Sequence, residues 1–175
     1  MGALAVTLLG IYYMVLSVFL AYLLGLIWPV SDAEIEKSTY QIVSVFRGLL
    51  KFSISKEIRL ILIVIAAGGL GSFIHGATSL ISYVGNRKIV KSWTWWYILR
   101  PFIGSALALI FYFAIRGGFL SVTAGIEAIS HFGIAATAGI VGMFSKEATD
   151  KLHEIFVTLF RPKDQRTDKL SDSGQ

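Results

Sequence analysis

Three long apolar runs set the pattern of this chain: residues 3–27, 60–84 and 95–115, each bordered by aromatic or charged residues. A helix needs about 20 mainly apolar residues to cross a bilayer, and all three runs meet that length. A fourth run, residues 126–144, is rich in small residues and holds Glu127 and His131. It predicts a fourth crossing. A helix beginning only at Phe132 would rise about 20 Å before Ser145, which leaves three crossings and a short re-entrant or tilted helix as the alternative.

Two further stretches read as amphipathic interfacial helices. In residues 32–52 a capping box, Ser31-Asp32-Ala33-Glu34, precedes Ile42, Phe46, Leu49 and Leu50 on one helical face. In residues 146–160, Ala148, Leu152, Ile155, Phe156 and Leu159 form a stripe opposite Lys146, Glu147, Asp150, Lys151 and Glu154, and Glu147 and Lys151 can pair at i,i+4. Residues 161–175 are polar, without a core-forming pattern, and predict a disordered tail. The expected fold is all-α: one polytopic transmembrane helical bundle over residues 1–160.

Composition agrees. Of 175 residues, 55% are hydrophobic and 15% charged, against about a quarter charged in soluble domains. Mean hydropathy is +0.69. Residues 3–27 lack a basic leader and outrun a signal-peptide core, so a retained span is expected. The absence of cysteine excludes disulfides, thiolate metal sites and cysteine nucleophiles. The net charge of +5 sits in loops and tail, which points to anionic lipid headgroups and away from nucleic acid. With four crossings, Arg87, Lys88, Lys91, Lys146, Lys151, Arg161, Lys163, Arg166 and Lys169 share one side. Lys37, Arg47, Lys51, Lys56, Arg59 and Arg116 face them from the other. Nine against six favours both termini in the cytoplasm.

The stretch "SYVGNRKIVKSWTWWYILRPFIG" gathers charge and tryptophan between two apolar runs. It reads as an interface turn. Arg87, Lys88 and Lys91 hold it to headgroups, Trp93, Trp95, Trp96 and Tyr97 sit at headgroup depth, and Arg100 snorkels back to phosphate. Pro101 is expected in the first turn of the third helix, where no backbone donor is missed.

Small residues mark the expected helix seams, because in lipid close packing drives helix association. They are Gly68, Ser72 and Gly76 in the second run, Gly104 and Ala108 in the third, and Ala135, Gly139 and Gly142 in the fourth. Such ridges on several faces suggest a homo-oligomer. The polar candidates within the membrane are His75, Glu127 and His131. An ionisable group in a span is a functional candidate, weighed against a neutral His75 bonded to a neighbouring helix's backbone or to Ser72 or Ser79 and a headgroup-level Glu127–His131 pair. No metal, nucleotide or G-x-S-x-G signature occurs, so neither cofactor nor catalytic residue is expected.

The blocks "YVGNRKIVKSWTWWYILRPFIGSALALIFYFAIRGGFL" and "GIAATAGIVGMFSKEATDKLHEIFVTLF" resemble an uncharacterised family of small bacterial multi-pass membrane proteins, over roughly residues 60 to 160. The resemblance implies a membrane location and a bacterial source, the inner membrane being the expected one, and gives no support to a catalytic role. The expected function is a non-enzymatic, self-associating assembly or partner-binding subunit, with Leu152, Ile155, Phe156 and Leu159 as a partner surface. An oligomeric ion or proton channel is the alternative.

Overall fold

The computed structural model describes residues 2–29, 40–45, 50–119 and 130–160. Its helices are α1 (Ala3–Ile27), α2 (Lys56–Gly85), α3 (Thr94–Arg116), α4 (His131–Met143) and α5 (Ser145–Phe160), with a 3₁₀ turn at Lys91–Trp93 before α3. Ala3–Ile27, Lys56–Gly85 and Lys91–Arg116 are long and apolar enough to span a membrane. α4, at 13 residues, rises only about 20 Å and is too short for a complete crossing. The fourth span expected over 126–144 is therefore not formed by one described helix, and Glu127 lies outside the described residues.

One expectation is overturned. The pattern over residues 32–52 predicts an amphipathic helix, but β1 (Tyr40–Val45) and β2 (Leu50–Ser55) form an antiparallel hairpin, with Val43 opposite Phe52. Leu50, Phe52 and Ile54 alternate with Lys51, Ser53 and Ser55, a two-residue period that suits a strand. The capping box at Ser31 lies outside the described residues. The actual cap is Ser55, whose Oγ accepts the Ile58 amide at 3.4 Å and starts α2 directly from β2.

Two left-handed residues close the long helices. Beyond α2, Lys88 N–H donates to Tyr83 and Arg87 N–H to Val84, with Arg87 at φ 55°. Beyond α3, Phe119 N–H donates to Ala114 and Gly118 N–H to Ile115, with Gly118 at φ 75°. Both are Schellman closures that satisfy the last carbonyls.

α2 is the central helix, and it carries more buried residues than any other described element. α1 packs against it in antiparallel sense: Leu9 and Leu80 share one cluster, Tyr13 meets Gly76, and Leu20 meets Gly69. α3 is also antiparallel to α2 and fastened at its middle and at its C-terminal end. Ser105 Oγ donates to the Ile65 carbonyl at 2.9 Å, and Arg116 reaches Glu57. α4 starts near the β-hairpin end, where Phe132 meets Trp28 with ring centroids 4.9 Å apart, and runs inward to place Gly142 against Gly68.

At Phe144 the backbone leaves the helix (φ −105°, ψ 49°) and the chain doubles back. Ala148 and Leu152 of α5 pack on the cluster that contains Leu107, Ala108 and Val141. Farther along, Ile155, Thr158 and Leu159 surround Phe119, just past the end of α3. α5 thus returns toward the end from which α4 set out, making a helical hairpin alongside α3.

Candidate functional site: the small-residue junction and the polar flank

The predicted packing residues converge on one junction of α2, α3 and α4. A methyl group added at Gly68 would strike Ala108 Cβ and the Gly104 carbonyl, and one at Gly104 would strike Ser72. A methyl at Gly71 would overlap the Gly139 carbonyl, and one at Gly142 the Gly68 carbonyl. These are backbone contacts, which only glycine permits. Ala135 packs on the edge of this core, and Gly76 instead accommodates the Tyr13 ring from α1.

Pro101 stands seven residues into α3, beyond the first turn where it was expected. There its missing N–H orphans the carbonyl of Tyr97, one turn back. The buried hydroxyl of Tyr13 donates to that carbonyl at 2.9 Å. Tyr12 Oη donates to the next carbonyl, Ile98, also at 2.9 Å. Tyr97 itself is 1% exposed, so it is a core residue and not the headgroup anchor expected. The proline break is thereby turned into the seam between α1 and α3.

Around the turn, Arg87, Lys88 and Lys91 are exposed, as is Trp95. Trp93 packs on Tyr83 at 5.4 Å and on Trp96 at 6.0 Å. The Arg100 guanidinium lies over the Trp96 ring at 5.2 Å, a cation–π contact directed toward the turn.

His75 is exposed on the flank of α2. Neither serine expected to hold it does so: Ser72 donates to the Arg100 carbonyl at 2.7 Å, and Ser79 lies 3.4 Å from the Tyr97 hydroxyl. His75 instead shares Coulombic reach with Arg100 of α3 and Glu147 of α5. No hydrogen bond or ion pair joins these three among the described residues, and the Nε of Arg100 is buried without a partner. His131, the other histidine expected here, is half-buried at the first position of α4, on the opposite end of the bundle.

α5 extends this polar flank. Lys146, Glu147, Asp150, Lys151 and Glu154 are all exposed along it. Lys151 pairs with Glu154 at 2.7 Å, not with Glu147 as the i,i+4 spacing suggested. Of the expected partner surface, Leu152 and Ile155 turn partly inward, while Phe156 and Leu159 stay more than half exposed. Sequence reasoning placed this helix in the headgroup plane. Its packing beside Leu107 and Phe119 stands it along α3 instead. The length of α4, too short to cross, was the signal that its continuation turns back.

Among the described residues no cluster of His, Cys, Asp or Glu could hold a metal ion. Comparison with protein-family models, with curated proteins and with solved structures finds no match.

Proposed function

We propose that the chain is a non-enzymatic, self-associating assembly subunit of a bacterial cytoplasmic membrane, and that its polar flank is the association surface. The observation that carries this reading is α5, which sets five exposed charged side chains alongside a membrane-spanning helix. A charge at mid-bilayer costs about 2.5–3.5 kcal/mol on insertion scales, so such a face needs protein or water against it. His75 on α2 and Glu147 on α5 are both exposed on one flank, which suits contact with a second copy. The motif blocks that resemble small bacterial membrane proteins support the location.

Three crossings separate the termini. Leaving aside Lys146 and Lys151 of α5, the β-hairpin and the C-terminal tail then share a side with ten of the Lys and Arg residues, with Arg87, Lys88 and Lys91 opposite. This imbalance favours a cytoplasmic tail and an N-terminus across the membrane, in place of two cytoplasmic termini.

The chain contains no cysteine, so single cysteines report cleanly. Thr149→Cys on the exposed face of α5 is expected to give a disulfide-linked dimer in native membranes and to resist water-soluble maleimide. Monomer alone, at Thr149 and also at His153→Cys, contradicts self-association through this face. The second reading, an oligomeric ion or proton channel, is favoured by the grouping of His75, Arg100 and Glu147 on this flank. It requires rapid maleimide labelling of Thr149→Cys and liposome flux that changes with His75→Ala.

A further inference from the structure

A crevice opens between α3 and α4 on the β-hairpin side of the bundle. Its floor is apolar, made by Val64, Phe111, Ile134 and Val141, and its rim carries Arg116, Tyr112 and Thr137. From Arg116 to Ala108 it follows α3 inward for about 12 Å, from the end of a spanning helix toward its middle. The position is that of a lipid: a polar end at headgroup depth and an apolar channel beneath it.

The rim is specific in charge. Arg116 meets Glu57 through two contacts, Nη1 to Oε2 at 2.6 Å and Nη2 to Oε1 at 2.9 Å, and Nη1 also donates to the Tyr112 hydroxyl at 2.7 Å. Both charged side chains remain about half exposed, 44% and 56%. A cation at the end of the crevice and the anion paired with it therefore stand side by side, both open to a headgroup.

We infer that this crevice binds one phospholipid with a zwitterionic, primary-amine headgroup. One acyl chain lies between α3 and α4, the phosphate meets Arg116, and the ammonium meets Glu57. An anionic headgroup would place its phosphate against the Glu57 carboxylate with nothing to offset it. The general attraction of the basic loops for anionic lipid acts elsewhere on the surface.

The test is native mass spectrometry of the full chain released from nanodiscs of equal phosphatidylethanolamine and phosphatidylglycerol. The expected result is one retained phosphatidylethanolamine per chain. Thr137→Trp, which fills the mouth from an exposed position, abolishes retention. Glu57→Gln keeps the crevice but frees the charge of Arg116, and reverses the preference toward phosphatidylglycerol by roughly fivefold. Circular dichroism and thermal melting establish that each variant is folded. Retention in bulk proportion in the wild type means annular lipid only and overturns the inference. So does unchanged retention in Thr137→Trp, or an unchanged preference in Glu57→Gln.

Discussion

Replacing Tyr13 with Phe removes one oxygen from the seam between α1 and α3 while keeping the ring that packs on Phe73 and Tyr97. That oxygen donates to a carbonyl whose helical partner was deleted by Pro101, and both tyrosines are at most 3% exposed. Side-chain hydrogen bonds between membrane helices average about 0.6 kcal/mol and reach about 1.7. Here the loss also strands a buried carbonyl, so Tyr13→Phe is expected to destabilise the bundle by about 1–2 kcal/mol. Pro101→Ala changes the accounting, because alanine restores an N–H that the Tyr97 carbonyl can accept. In that background Tyr13→Phe should cost about 0.5 kcal/mol or less, a coupling near 1 kcal/mol. The assay is reversible unfolding in mixed micelles, followed by tryptophan fluorescence, with Trp96 in edge contact with Tyr97 at 4.9 Å as a local reporter. Additivity of the two substitutions within about 0.3 kcal/mol would refute the assignment of the Tyr13 hydroxyl to the carbonyl left by proline.

Gly142→Ala pushes a methyl group into the Gly68 backbone and should lower stability by about 1–3 kcal/mol. Gly10→Ala has open space and should be neutral or stabilising by up to about 1 kcal/mol. Equal effects in a thermal unfolding comparison would contradict the junction. Glu57→Gln removes an ion pair with both partners half exposed, so its stability cost should stay under about 1 kcal/mol in the same assay. A larger loss would show that the pair fastens α2 to α3 more strongly than its exposure implies.

What could be read from the sequence follows the physics of each signal. The three long spans are legible because hydrocarbon demands sustained apolar length, and length survives any rearrangement of neighbours. The junction at Gly68, Gly104 and Gly142 is legible because glycine at i,i+4 spacing has few other uses in a span. The hairpin is where the pattern misleads: Ile42, Phe46, Leu49 and Leu50 satisfy a helical period, but Leu50–Ser55 also satisfies a strict two-residue alternation. The β-branched run Ile42-Val43 tilts that choice toward strand. The reversal at Phe144 carries no glycine or proline, and its conformation has no local marker. The depth of Pro101 depends on where α3 begins, and helix starts are the least certain part of a sequence reading. The grouping of His75, Arg100 and Glu147 depends on the return of α5, so no linear pattern could announce it.

The reversal of α4 into α5 is the premise on which the polar flank and the three-crossing topology both stand. It is tested by placing single cysteines at Ser53 in the hairpin, at Asn86 in the α2–α3 turn and at Gln175, then labelling intact cells or sealed vesicles with an impermeant maleimide. Ser53→Cys and Gln175→Cys are expected to react from the same side, with Asn86→Cys reacting only from the other. Labelling of Gln175→Cys together with Asn86→Cys would mean that residues 130–160 cross the membrane, and the re-entrant hairpin would be wrong.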